Sequence, residues 1–308
     1  MSMVKLWVAG VAAALCIGCA SDGIRQVERA DRSLVAAGDA DSLAAAALLT
    51  VGPTSDPNER MALITRAVSE APERADLLWL NLRLCSQREG CDTAPLEAKL
   101  RVLDPSNGAA WIDAIGRASK QGDAAALREA LSAIGSSKRF DLYWNATVVH
   151  ATNAMLRTHE LGLPAAFINA AGLAAAAVIP IYQPILKSCT GDDLRDPDRL
   201  NSCRRVAAVM RNGDTYVTEM VGLTLTEQVW PEGSSEYADA VAARRVAHYR
   251  METDGEMGVH LVSSSKVAAK RLALMTEKRT EQEVASAEIA SVGASPNPPA
   301  DYREKWGS

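Results

Sequence analysis

The chain has 308 residues, of which 48% are hydrophobic, 5% aromatic and 23% charged. This length suffices for one large core or two smaller ones, and abundant alanine with little strand-like alternation predicts an all-α fold. The net charge of −5 at pH 7, without a stripe of Lys or Arg, excludes the electrostatic footprint of a nucleic-acid-binding protein.

The N-terminus carries the features of an export signal. Lys5 precedes an apolar run from Leu6 to Ile17, and small residues follow this run. The run has about a dozen residues, whereas a helix that crosses a membrane needs about 20. The sequence therefore predicts a cleaved signal peptide at residues 1–18.

The sequence CIGC at positions 16–19 resembles the lipobox of bacterial lipoproteins, although Cys16 stands where that family prefers Leu. The resemblance implies that cleavage follows Gly18 and that Cys19 becomes a diacylated first residue, the chain's one link to the membrane. It implies a location in the bacterial cell envelope, at its periplasmic face and anchored in the outer membrane. The alternative is cleavage after Ala20 by an ordinary signal peptidase.

Three tryptophans give the clearest internal repeat. Trp79, Trp111 and Trp144 are separated by 32 and 33 residues, close to the period of helix-hairpin repeats. Apolar stripes predict second helices at Leu96–Leu103 and Ala124–Ile134. We expect each tryptophan to pack in the core of its hairpin.

The stretch LDPSNGAAWIDAIGRASKQGDAAALREAL, residues 103–131, resembles a tetratricopeptide repeat. Asp104–Asn107 matches the turn between repeats, and residues 121–123 match the turn within a repeat. The sequence departs from the family at Ile115, where the family has Gly, and at Leu127, where it has Ala. The resemblance implies tetratricopeptide-like hairpins over residues 19–160 and a concave helical surface that holds an unknown protein or peptide. Polar residues near the tryptophans are the candidates for binding this partner: Asn81, Asp113 and Asn145.

Four cysteines lie beyond the predicted lipid site, in two local pairs. The oxidising periplasm favours disulfides Cys85–Cys91 and Cys189–Cys203, which close the shortest loops, although four cysteines formally allow three pairings. The competing interpretation as a metal site lacks histidines near either pair.

Further packed helices are predicted for residues 161–290. Their expected ranges are Pro164–Ala177, Pro180–Cys189, Asp198–Met210, Asp214–Val229, Ser235–Met251 and Val259–Ala290, with Asp214 and Ser235 as N-caps. The alanine-rich segment 163–186 is interrupted by Pro and polar residues, which indicates buried helices rather than a membrane span. Residues 291–308 are polar and rich in Pro, and predict a flexible tail.

No sequence pattern anchors catalysis or metal binding. The motifs G-x-S-x-G, H-E-x-x-H, G-x-G-x-x-G and the Walker loop do not occur, and the aspartates of loop 192–198 lack the spacing of an EF-hand. We therefore expect a protein that is not an enzyme and that holds no metal or cofactor. An enzyme is the less favoured alternative, for which the fold would have to gather the following groups: Glu160, Glu219, Glu227, His150 and His248.

Together these features predict a lipid-anchored periplasmic scaffold or adaptor of an uncharacterised lipoprotein family. The alternative is a protective lipoprotein of the immunity type, which blocks a toxin that enters the periplasm.

Overall fold

The computed structural model describes residues 20–49 and 56–304, and within these ranges every regular element is a helix. The predicted all-α fold is thus confirmed. The predicted signal peptide and the predicted lipidation site Cys19 lie outside the described residues. The α-helices are α1 (Ala20–Ala37), α2 (Ala40–Leu49), α3 (Pro57–Glu70), α4 (Ala75–Ser86), α5 (Ala94–Leu103), α6 (Ile112–Gln121), α7 (Ala124–Ser136), α8 (Trp144–Arg157), α9 (Leu163–Val178), α10 (Gln183–Ser188), α11 (Pro197–Met210), α12 (Tyr216–Val229), α13 (Ser235–Gly258), α14 (Ser265–Glu277) and α15 (Glu281–Ser291). Short 3-10 helices cover Gly108–Trp111, Gly191–Arg195 and Val259–Val262.

Local sequence signals explain the helix ends of the predicted repeat region. Asp56 caps α3, because its carboxylate accepts from the main-chain N–H two residues later at 2.8 Å. At the predicted turn 121–123, Gly122 has φ of +68°, which glycine adopts without a steric penalty, and ends α6. Asp123 then caps α7 by accepting from two main-chain N–H groups. The chain therefore reverses where the sequence predicts.

The predicted long helix Val259–Ala290 is wrong, because the chain forms a 3-10 turn followed by α14 and α15. Ser264 begins α14 as its N-cap. Thr280 and Glu283 form a capping box at the start of α15, in which each side chain accepts from the other's main-chain N–H. These side chains satisfy free N–H groups at two new helix starts and so divide the predicted helix.

The predicted N-caps of α12 and α13 are each one residue off, since Thr215 and Ser234 hold these positions. Asp214 is buried instead, and its carboxylate accepts from the main-chain N–H groups of Leu142 at 2.9 Å and Trp144 at 3.1 Å. Burial, together with a neighbouring carboxylate, raises the pKa of Asp214 well above its ordinary value. This side chain joins the loop before α8 to the start of α12.

One hydrophobic core runs from α1 to α15 and joins the predicted repeat region to the helices that follow it. The indole N–H of Trp79 donates to the main-chain oxygen of Val178 at 3.2 Å, and α2 packs against α8 and α9 as well as α1 and α3. In an open repeat array each unit contacts only its neighbours, whereas here early and late helices touch directly. The tetratricopeptide resemblance stays a prediction.

The three tryptophans differ in burial. Trp79 has no exposed surface and packs against α9 rather than only against its own hairpin. Trp111 and Trp144 are half-buried at the edge of the core. The guanidinium carbon of Arg101 lies 3.5 Å from the ring centre of Trp111 and covers its exposed side.

The alanine-rich segment 163–186 forms α9 and α10, whose buried faces belong to the common core. Small alanine side chains allow α9 to lie close to α8, with which it makes one of the most extensive helix contacts. Across residues 20–49 and 56–304, no helix combines the length and apolar character that a membrane span needs.

Candidate functional site

Both predicted cysteine pairs are joined as disulfides. The Cα atoms of Cys85 and Cys91 lie 5.4 Å apart, and those of Cys189 and Cys203 lie 5.6 Å apart. The first bridge closes the loop after α4, and the second links the end of α10 to α11. All but Cys91 are completely buried. The two bridges therefore have a structural role in the helical fold.

The predicted partner-binding residues differ in exposure. Asn81 and Asn145 are only 4% and 5% exposed, and Asn145 donates to the main-chain oxygen of Lys278 at 2.9 Å. Asp113 is half-buried and lies 2.7 Å from Nη1 of Arg83, whose buried charge needs this partner. The role of these three residues in binding stays a prediction.

Four of the five candidate catalytic residues each form an ion pair or a His–carboxylate contact, and these four contacts are separate. The pairs and their N–O distances are Glu160 with Arg29 at 2.7 Å, Glu227 with Arg244 at 2.8 Å, His150 with Asp41 at 3.5 Å and His248 with Glu304 at 3.4 Å. The partner of His150, Asp41, also contacts Arg74 at 3.1 Å. Glu219 lies in a buried polar cluster, which is described below. Within the described ranges no three His, Cys, Asp or Glu side chains gather as metal ligands.

The sequence predicts a flexible tail at residues 291–308, but the described part of this segment lies against α13. Nη2 of Arg245 donates to the main-chain oxygens of Pro299 at 2.8 Å, Ala300 at 3.2 Å and Tyr302 at 3.1 Å. Nε of Arg250 donates to a further tail carbonyl, that of residue 296, at 3.0 Å. Two arginines of α13 thus bind the tail through its backbone, which a composition-based prediction does not detect.

Side chains of the tail add three contacts to α13. The ring of Tyr302 meets the ring of Tyr249 edge to face, with centroids 5.1 Å apart and an interplanar angle of 75°. The guanidinium carbon of Arg245 lies 5.4 Å from the centre of the Tyr302 ring. Nδ1 of His248 lies 3.4 Å from a carboxylate oxygen of Glu304. We call this surface, formed by Arg245, His248, Tyr249 and Arg250, the tail-binding face.

The composition of the tail suits this face. Pro296, Pro298 and Pro299 carry no N–H, so their carbonyls are their only polar main-chain groups. Arg245 and Arg250 offer donors and no acceptors, which matches a segment that offers mainly acceptors. Proline also lowers the entropy that the tail loses when it is held in one conformation.

A groove of about 410 Å³ opens between α13 and α15, next to the tail-binding face. Arg250 belongs to both surfaces, because it lines the groove and holds the tail. The groove is lined by Arg250, Lys278, Gln282, Glu283, Ser286 and Ala287. Because Arg250 is common to both, the groove continues the surface on which the tail lies.

Behind the groove lies a buried cluster of polar groups at the start of α12 and α15. The main-chain N–H of Tyr216 donates to Glu281 Oε2 at 2.8 Å, so that a carboxylate of α15 caps α12. Three further atoms of this region find no hydrogen-bond partner within the described part of the chain: Tyr216 Oη, Glu219 Oε2 and Gln282 Oε1. Burial raises the pKa of Glu219, and raises that of Glu281 to about 7.

A buried ion triad stands beside this cluster and ties α13, α14 and α15 together. Nη1 of Arg271 lies 2.6 Å from Asp254 and 2.6 Å from Glu288. Burial raises the pKa of Glu288 to about 7, while the nearby Arg271 opposes this shift. The triad holds α13 in place, and α13 presents the tail-binding face on its outer side.

Of the tail-binding face, only His248 is a candidate from the sequence, and only as a catalytic group. Arg245 and Tyr249 are four residues apart and share one face of α13. This spacing is the side-chain signal that the sequence offers for the face, and it does not indicate which segment docks there.

The arrangement can hold a peptide backbone by its carbonyls and select an aromatic side chain by ring packing.

No protein-family model, no curated protein and no solved structure matches this chain.

Proposed function

We propose that this chain is a lipid-anchored protein of the bacterial cell envelope, facing the periplasm, which binds a segment of a partner protein on the tail-binding face of α13. The proposal keeps the predicted role of a scaffold or adaptor with a tetratricopeptide-like N-terminal part. It moves the binding surface from the repeat region to the C-terminal helices.

One observation carries the binding function: α13 holds residues 296–302 through hydrogen bonds to main-chain oxygens. A surface that holds one non-helical segment by its backbone has the donors to hold another, because every peptide carries the same carbonyls. Only the fit of side chains then separates one segment from the next.

The envelope location is supported by the disulfides and by the N-terminal sequence. Bridges such as Cys189–Cys203, with both cysteines buried in the core, form and persist in oxidising compartments. The lipobox-like sequence before Cys19 adds the anchor. Uptake of labelled palmitate by the wild-type chain but not by Cys19→Ser, with release of the variant from membranes, tests this part.

The binding function is tested by photo-crosslinking in the native envelope. A photoreactive phenylalanine analogue replaces Tyr249 on the tail-binding face, and in a control chain it replaces Val102, which is 83% exposed on α5. In a background of Tyr302→Ala, which loosens the tail, we expect a discrete crosslinked partner from position 249 and none from position 102. Equal crosslinking from both positions contradicts the proposal.

A further inference from the structure

We propose that the tail-binding face recognises a partner segment of the type Pro-x-x-Tyr-x-Glu, and that the chain's own residues 299–304 occupy the site until such a segment displaces them. This inference rests on the proposed function and specifies the chemistry of the partner.

The first element is a turn that gathers carbonyl oxygens. The main-chain N–H of Tyr302 donates to the oxygen of Pro299 at 3.1 Å, which closes a four-residue turn. Nη2 of Arg245 donates to the same oxygen and to two later ones. Because proline has no N–H, the first residue of the turn offers its carbonyl without a donor that would need its own partner.

The second element is the aromatic ring. Tyr302 packs edge to face on Tyr249, and Arg245 lies 5.4 Å from its ring centre on the same helix. Edge-to-face aromatic pairs and cation–π contacts both add to the burial of an aromatic ring, so this residue makes more than one kind of contact with the face. An aliphatic residue offers neither interaction.

The third element is charge. Three cationic or protonatable side chains lie on the face, namely Arg245, His248 and Arg250, and the tail brings Glu304 to 3.4 Å from His248. Opposite charges therefore meet at the His248–Glu304 contact, while the tail also carries Arg303 and α13 brings Glu252 near Tyr302. The contact is partly exposed, so it sets register and preference more than affinity.

The tail is tethered next to its site. Residues 292–298 connect the end of α15 to the turn, and a linker this short gives an effective concentration in the millimolar range. A free segment with the same contacts is excluded at micromolar concentrations. A partner binds when it adds contacts, and the neighbouring groove lined by Gln282 and Ser286 is where it can add them.

The test is a panel of fluorescein-labelled peptides titrated against the full chain carrying Tyr302→Ala, read by fluorescence anisotropy. The reference peptide has the sequence of residues 294–304, ASPNPPADYRE. Relative to it, we expect Tyr302→Ala in the peptide to weaken binding about tenfold, Pro299→Ala and Glu304→Gln about threefold each, and Tyr302→Phe less than twofold.

A scrambled peptide that binds as tightly as the reference overturns the inference, as does equal binding of the Tyr302→Ala peptide. Circular dichroism checks that the protein variant is folded, and the same panel is repeated with the full chain carrying Glu304→Gln, which loosens the tail by a different contact. The experiments distinguish failure of this inference from failure of the proposed function. Binding of all peptides alike leaves the proposed function standing, whereas crosslinking from position 102 as strong as from position 249 removes it.

Discussion

Arg245 donates to the main-chain oxygen of Tyr302 at 3.1 Å, and its guanidinium carbon lies 5.4 Å from the centre of the same residue's ring. A single side chain of α13 therefore fixes both the backbone and the ring of one tail residue. The neighbouring Arg244 does not contact the tail in this way, because its Nε donates to Glu227 of α12 at 2.8 Å. These adjacent arginines form a matched pair for experiments.

Arg245→Lys should release the tail, because the lysine side chain is one atom shorter and its nitrogen cannot reach the position of Nη2, which contacts three tail carbonyls. We expect faster hydrogen exchange at the amide of Tyr302 and unchanged exchange in α12. Arg244→Lys is the control and should leave the tail protected. Loss of tail protection in both variants would show that the Nη2 contacts of Arg245 are not what holds the tail.

Trp79→Ala should cost about 3–5 kcal/mol in the free energy of unfolding, because the ring is completely buried and its N–H bonds to α9. Trp111→Ala should cost only about 1–2 kcal/mol, since that ring is half-buried and covered by Arg101. Urea denaturation of both variants gives the comparison. Equal losses would contradict the difference in burial.

The disulfides should contribute unequally to stability. The chain-entropy account assigns about 3 kcal/mol to a loop of the size closed by Cys189–Cys203, whose separation is 14, and about 2 kcal/mol to Cys85–Cys91, whose separation is six. Replacing both cysteines of one pair by alanine removes each bridge without leaving a free thiol. Guanidinium denaturation should rank the second bridge above the first, and the reverse order would contradict this account.

Stability should fall as pH rises through neutrality, in part because of Glu281. Burial raises its pKa to about 7 in the folded chain from an ordinary 4.5, so the folded chain binds this proton more tightly than the unfolded chain. The contribution is complete below about pH 4.5 and lost above about pH 7. The contribution of Glu281 amounts to about 3 kcal/mol. Three charged or titratable side chains act on the Glu281 carboxyl, namely Asp254, Glu219 and Arg271.

Glu281→Gln removes this titration while an amide oxygen still caps α12. The variant should therefore lose less stability than the wild-type chain between pH 5 and pH 8, although Glu288 titrates in both. Urea denaturation at the two pH values measures the difference. Parallel losses in both chains would show that Glu281 is ionised throughout.

Local signals predicted much of the frame. Helix ends such as Gly122 and the pairing of Cys85 with Cys91 depend on neighbouring residues, so the sequence contains them. The break before α15 also has a local signal, the pattern Thr280-x-x-Glu283 within the polar stretch 276–283, which the predicted helix Val259–Ala290 overlooks.

The tail-binding face could not be predicted in the same way. Asn81 and Asn145 are polar residues that long-range packing buries, and no local pattern distinguishes them from surface residues. The tail is held mainly by hydrogen bonds to carbonyls, which every residue carries, so its docking leaves almost no trace in the side-chain pattern. Both findings depend on contacts between residues far apart in the chain.

The most direct test of the account is the affinity of the peptide of residues 294–304 for two full chains, the wild type and Tyr302→Ala, measured by fluorescence anisotropy at one salt concentration. The account predicts saturable binding to Tyr302→Ala and at least about tenfold weaker binding to the wild type, whose own tail competes at a high effective concentration. Equal affinities for the two chains, or no saturable binding to either, would contradict the claim that the tail-binding face holds an exchangeable peptide.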